Sequence, residues 1–164
     1  MRFVLAIVII LAGFSIRASS SRGQAGCDSI PILNQKIITY VRSTVNKKVG
    51  HGECWDLAAQ ALNQNQAVWD HNFKFGRQIN PGKECVYPGD IIQFEGVVVK
   101  YRKDSRDYQE TMQHHTAIIY EVKDTGIYVL IHQNTAFSGR KVGFSDLDLK
   151  TIVRGKFKIY RPVN

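Results

Sequence analysis

At 164 residues, with 44% hydrophobic and 22% charged side chains, the chain has room for one domain and not two, and its balance excludes a disordered polar polymer. Its net charge of +8 suits an anionic surface. Lys and Arg are nevertheless scattered among Asp and Glu, with no basic block or aromatic-interleaved run, so no nucleic acid partner is expected.

The chain opens with basic Arg2, an apolar run over residues 3–14, and small and polar residues up to Ser21. This reads as a signal peptide over residues 1–18, with cleavage after Ala18 or as late as Ala25. The apolar run breaks at Ser15 and Arg17, short of the roughly 20 residues that cross a bilayer. No stable membrane span is therefore expected, with an uncleaved anchor as the alternative. Polar residues including Gln24 separate Cys27 from the apolar run, which argues against acylation there. Residues 27–164 are read as a single secreted domain, acting as a monomer. Losing Arg2 and Arg17 leaves it basic, which fits an anionic cell wall, membrane surface or polysaccharide, with plain solubility as the competing explanation.

In the mature chain, Ile30, Leu33, Ile37, Val41 and Val45 recur at helical spacing behind Pro31, whose missing N–H is harmless in a first turn. That helix is expected to end near Lys47 and Lys48, where positive charge complements the carbonyl end and Gly50 and Gly52 follow. GHGECWDLAAQALNQ predicts a second helix with Leu57, Ala58, Ala61 and Leu62 on one face and Cys54 in its first turn. Downstream, VYPGDIIQFEGVVVKY, HHTAIIYEV, GIYVLIHQN and KFKIYRPV are rich in Val, Ile, Phe and Tyr and bounded by turn residues, so they read as strands. The polar stretch 103–113 between them reads as an exposed loop able to rim a site. Helices followed by strands predict an α+β domain, with N-terminal helices packed on an antiparallel sheet.

A cysteine nucleophile needs a stabilised thiolate, a base and oxyanion donors. A helix start offers roughly half a positive charge and unpaired N–H groups, and Cys54 stands there behind Gly52. The plain alternative is a buried structural thiol. In QHHTAIIYEV, neighbouring residues of a strand point to opposite faces, so only one of His114 and His115 can face the Cys54 helix. In YVLIHQNT, His132 and Asn134 lie two apart and share a face, with Gln133 turned away. A base held by a third group keeps its tautomer and steadies its cation. Three cysteines leave one unpaired in an exported chain, and the sequence around Cys54 marks it as that thiol. Cys27 and Cys85 then pair, closing a long loop at a gain of a few kcal/mol.

The order GHGECWDLAAQAL, YPGDIIQF, HHTAIIYEV, VLIHQN resembles the NlpC/P60 and CHAP superfamily of papain-like cysteine peptidases and amidases, over residues 30–162. The resemblance implies a papain-like fold, Cys54 as nucleophile, His115 as base ahead of the small apolar run 117–119, His132 as the orienting residue and Asn134 as an accompanying polar residue. One branch of the superfamily has Gly where this chain has His114, so His114 competes with His115, and Gln133 competes with His132. The implied function is a secreted cysteine peptidase or amidase acting on peptide, cell-wall or other amide substrates, with no cofactor. The alternatives are a non-catalytic binding module on the same fold, and a metal site formed by Cys54, His115 and His132, for which the local spacing of zinc ligands is missing.

Overall fold

The computed structural model describes Cys27 and residues 29–164; the expected signal peptide, residues 1–18, and both expected cleavage points lie outside the described residues. Helix α1, Ile32–Ser43, buries Leu33, Ile37 and Val41 as its apolar period requires, and with them Asn34. It stops four residues before the expected Lys47. The Thr44 hydroxyl donates to the Val41 carbonyl at 2.7 Å, Val45 leaves to form a parallel bridge with Val142, and Asn46 turns through a positive φ of 64°. Helix α2, Cys54–Gln64, buries Leu57, Ala58, Ala59, Ala61 and Leu62. Three alanines on that face let the helix axis lie close to its neighbours.

Six strands follow: β1 Arg77–Ile79, β2 Ile91–Lys103, β3 Arg106–Asp124, β4 Ile127–His132, β5 Gly143–Asp148 and β6 Ile152–Arg161. They form one antiparallel sheet in the order β1-β6-β2-β3-β4-β5. The α+β expectation is therefore met: two helices pack on a six-stranded antiparallel sheet. Strands β1 and β5 carry weak signals, three residues in one case and a charged GFSDLD in the other, and pairing rather than propensity defines them.

Both faces of the central strands are buried, which is why IIQF and TAII read as continuous apolar runs rather than alternating ones. Ile91, Ile118, Ile131 and Tyr160 pack with Leu33, Ile37, Val41, Leu57 and Leu62 on the helix face. Ile92, Phe94, Ala117, Ile119, Leu130 and Ile159 form a second core on the opposite face, together with Ile79 and Leu147. That second core draws on all six strands, so the sheet curls around it.

Residues 103–113 are not a loop. The turn is only Asp104 and Ser105, with φ of 48° and 61°, and β2 and β3 stay paired out to Lys103 and Arg106. Two consecutive positive-φ residues match the right-handed twist of the flanking strands, so polar composition here marks an exposed hairpin arm.

The Pro88-Gly89-Asp90 turn joins helix, sheet and disulfide. Asp90 is fully buried; its carboxylate accepts from Arg161 Nε at 3.1 Å and Nη2 at 2.8 Å, Asn34 Nδ2 at 2.8 Å and Tyr87 N–H at 2.9 Å. Burial raises its carboxyl pKa, while the Arg161 guanidinium and the other donors hold it down. Removing either ion would strand the other in a low-dielectric interior, at about 3–5 kcal/mol. At Gly89, φ is +90° and an added Cβ would sit 2.6 Å from the Asn34 carbonyl oxygen, so glycine lets α1 meet the turn. Arg161 also donates to the Cys85 carbonyl. Cys85 is bridged to Cys27, with Cα atoms 5.8 Å apart, which leaves Cys54 as the free thiol.

Candidate active site

Cys54 is the first residue of α2. Its helix start is closed by reciprocal capping between Glu53 and Asp56, with Glu53 N–H donating to Asp56 Oδ2 at 2.9 Å. Gly52 enters the turn at φ +88°, where an added Cβ would meet Arg140 Cβ at 2.7 Å. The thiol reaches the sheet at the edge of β3, donating weakly to the His114 carbonyl at 3.9 Å, with the Thr116 N–H also against the sulfur. These two groups flank His115. Burial raises the Cys54 pKa; the N–H groups of Thr116, Trp55 and Cys54 itself lower it, and the Glu53 carboxylate adds to the rise. The lowered pKa anticipated from the helix start is thus outweighed by desolvation, and the resting sulfur is a thiol.

His115 and His132 meet inside the curl of the sheet. His115 Nε2 lies 2.8 Å from His132 Nδ1, and His132 Nε2 lies 2.9 Å from Ser145 Oγ. Phe94 stacks near His115 and Phe137 lies against His132. Burial, and secondarily the charge of His114, pushes His115 down to about 4; burial and His115 push His132 down to about 3. Both rings are neutral at neutral pH. Two proton arrangements satisfy this chain. If Ser145 accepts from His132 Nε2–H, His132 Nδ1 accepts from His115 Nε2–H and the lone pair of His115 Nδ1 stays open to a proton. If Ser145 donates, that nitrogen carries hydrogen instead.

His114 lies on the other face. Its Nδ1 is 2.9 Å from Glu95 Oε2 and its Nε2 is 3.4 Å from Gln93 Nε2. Phe73 packs against it edge-on at 4.2 Å between ring centroids. Alternation assigns this to the helix face, with Thr116 and Ile118, and His115 to the inner face, with Ala117 and Ile119, so the ring on the face of α2 is His114, the reverse of the expectation that His115 faces the Cys54 helix. Both ring nitrogens of His114 thus have polar neighbours, whereas Nδ1 of His115 has none among the described residues. No hydrogen bond joins the Cys54 sulfur to either imidazole there, and such bonds are commonly long in substrate-free sites.

β4 ends at His132, so the two-apart rule stops there. Asn134 adopts a positive φ of 61° and donates to Glu53 Oε2 at 2.8 Å rather than joining His115 and His132. Gln133 is fully buried on the helix face. Its Oε1 accepts from Val49 N–H at 3.1 Å, and its Nε2 donates to the carbonyls of Val49 at 2.9 Å and Glu53 at 2.7 Å. Arg140 pairs with Glu53 at 3.2 Å and donates to the His51 carbonyl at 3.1 Å. The segment after β4 thereby straps down the turn that launches Cys54. Sequence reading missed Ser145, Glu95 and this strap. Glu95 was within reach, because hairpin pairing sets it opposite His114; the strap is set by tertiary contact between residues 80 to 84 apart in sequence.

Among solved structures, the chain is similar to the crystal structure of Ly7917, at 14% identity and a TM-score of 0.45 over 77% of this chain. It is also similar to the crystal structure of Ly7917 with the hydrolyzing product of MDP, at 14% identity and a TM-score of 0.49 over 79% of this chain. In both cases it covers 62% of the other chain. No curated protein matches. The family model for the AIM3/BBC1 cysteine proteinase-fold domain matches residues 32–164, from the start of α1 through β6. That match supports the papain-like cysteine proteinase fold and does not single out NlpC/P60 or CHAP. The chain belongs to the AIM3/BBC1 cysteine proteinase-fold domain family.

Proposed function

We propose that this protein is a secreted cysteine peptidase or amidase, with a signal peptide over residues 1–18, a single catalytic domain over 27–164, Cys54 as nucleophile and His115 as base. The observation that carries the reading is the seat of the free thiol at the first residue of α2, on the peptide groups either side of His115. The only base-competent proton arrangement has Ser145 accepting from His132 and His132 accepting from His115 Nε2–H, so His132 and Ser145 are positioning residues. Asn134 and Gln133 act through Glu53 and Val49, holding the turn that carries Cys54.

The steps follow from these roles. His115 Nδ1 takes the thiol proton as the sulfur attacks the carbonyl carbon of an amide. Charge develops on the carbonyl oxygen, near the Cys54 and Trp55 N–H groups, which face the sulfur at the capped start of α2. The intermediate collapses to a thioester, and the amine leaves with the proton from His115. Water, giving a proton to the same nitrogen, cleaves the thioester to a carboxylic acid and restores the thiol. A raised thiol beside a neutral imidazole makes proton transfer concurrent with attack. Peptides and cell-wall amides are the candidate substrates, and the basic surface suits anionic polymers.

The raised thiol also favours a second reading, a non-catalytic module that uses the same groove for binding. Incubating wild type and Cys54→Ala with walls and peptide pools, with products identified by mass, tests the enzyme reading: product formed by wild type and not by the variant is expected. A Cys54 that reacts with iodoacetamide at the same rate in wild type and His115→Ala, with no product on any substrate, would leave the binding module standing.

A further inference from the structure

Strand β3 is 19 residues long, yet β4 pairs with it only from Ile118 to Asp124. On that same edge, just beyond the end of β4, the Cys54 sulfur sits at the His114 carbonyl and the Thr116 N–H. Main-chain groups of an antiparallel strand point alternately to its two neighbours. Ile119 exchanges both of its bonds with Gly89 and Asp90, on the β2 side, so His114, Thr116 and Ile118 face the β4 side. Beyond the irregularity at Gly96 the inner face passes from Ala117 and Ile119 to Met112, and Arg106 closes the two-residue turn against Lys103, so in the arm it is the odd-numbered residues that face that edge. Asp107, Gln109 and Thr111 therefore present their N–H and C=O groups along an edge that has no main-chain partner among the described residues. Residues 106–111 are exposed. Along one edge of β3 the order is thus β4, the thiol, then open strand.

We propose that this open edge is the substrate subsite, and that the substrate class is an extended peptide that adds to β3 as a strand along residues 107–111 and delivers its scissile carbonyl to Cys54. The proposal rests on the thiol-hydrolase reading above and adds what that reading leaves open. A strand laid there is collinear with β4 and separated from it by the sulfur. The donor and acceptor pairs at 107, 109 and 111 repeat every two residues, about 6.6 Å, which is the repeat of an extended peptide and not of a sugar chain or an acyl tail. The turn at Asp104 and Ser105 holds the arm out from the core, which keeps the edge accessible over its length.

Backbone chemistry tests this directly. Internally quenched peptides cleaved by the full-length protein are resynthesised with single N-methyl groups on successive amides. The expected result is a period-two pattern, in which alternate N-methyl groups each slow cleavage about tenfold or more and those between do little. Gln109→Pro removes an edge N–H without touching the β2 ladder and is expected to slow peptide cleavage by a similar factor. Its p-nitrophenyl acetate hydrolysis and the iodoacetamide reactivity of Cys54 should stay as in wild type. Uniform tolerance of N-methylation, or no peptide cleavage while Cys54 still turns over the ester, would overturn the proposal and spare the thiol enzyme. Peptide cleavage that persists in Cys54→Ala would sink both. If Gln109→Pro instead abolishes a dimer in sedimentation and leaves cleavage untouched, the edge belongs to a second copy and the substrate assignment falls.

Discussion

His114 and His115 are one residue apart in β3 and live in different chemistries. His114, on the helix side, is open to solvent, with a carboxylate at 2.9 Å and an aromatic edge beside it. His115, on the inner side, is 8% exposed and bonded to a second buried imidazole and through it to a hydroxyl. The backbone decides this by sending neighbours to opposite faces of a sheet buried on both sides. An imidazole sealed among apolar groups is kept neutral, whereas His114 keeps water and a hydrogen-bonded carboxylate beside it. A base must begin neutral, so the inner histidine suits that role and the outer one suits an ion pair.

The sharpest way to break this contrast is to delete each ring. His115→Ala should lower turnover by about a hundredfold to ten-thousandfold, the usual contribution of general acid–base catalysis. His114→Ala should change it less than about tenfold. Steady-state rates on one cleavable substrate give both numbers, and a larger loss from His114→Ala would move the base to the outer face and Glu95 into the orienting role. Next in size is the positioning residue. His132→Ala leaves His115 Nε2 buried without a partner, at about 1–3 kcal/mol, equivalent to a roughly fivefold to 150-fold loss of rate. His132→Gln, which keeps an acceptor in place, should recover part of it. A purely structural role would instead lower the melting temperature and leave the rate of the folded fraction unchanged in both variants.

The inner pair also carries a pH signature. Its pKa values lie below the ordinary 6.5, at about 4 for His115 and about 3 for His132. Between these values and 6.5 the unfolded chain binds protons that the folded chain refuses, so stability is fully present above about pH 6.5 and is lost as pH falls toward 4. At about 1.4 kcal/mol per pH unit for each group, His115 alone accounts for a loss on the order of 3 kcal/mol. Asp90, raised by burial, works in the opposite sense, so the contrast with a variant is cleaner than the absolute slope. Urea unfolding of wild type and His132→Phe from pH 7 to pH 4 should give a shallower decline for the variant; equal slopes would mean that the pair is not desolvated in solution.

The sequence made the two helices, four of the strands and the Cys27 to Cys85 pairing legible because each rests on local signals: apolar period, turn residues, and the start of a helix at Cys54. Strand alternation likewise separated His114 from His115 and set Gln133 apart from His132. It did not carry over to Asn134, since alternation holds only while a strand lasts and β4 ends at His132. Ser145 was invisible for another reason: β5 is short and charged, and only its pairing with β4, Leu130 opposite Ser145, brings the hydroxyl to the ring. The lowered thiol pKa failed because a helix start supplies a local field, while desolvation depends on everything packed around the sulfur. Charge composition also misread residues 103–113, because a polar hairpin arm and a polar loop have similar composition and differ in their main-chain pairing.

The smallest expected effect concerns the outer pair. Glu95 and His114 are each close to half exposed, with side chains 48% and 43% accessible, so water screens their attraction and the pair is worth about 1 kcal/mol or less. Glu95→Gln should therefore shift the urea midpoint only slightly at pH 6 and still less in high salt, which screens exposed charges further. Turnover should remain within a few-fold of wild type. If Glu95→Gln instead costs as much activity as His132→Gln, the carboxylate is orienting a catalytic imidazole, and the two faces of β3 have exchanged roles: the ion pair would be the working dyad and the buried chain of His115, His132 and Ser145 a satisfied polar core.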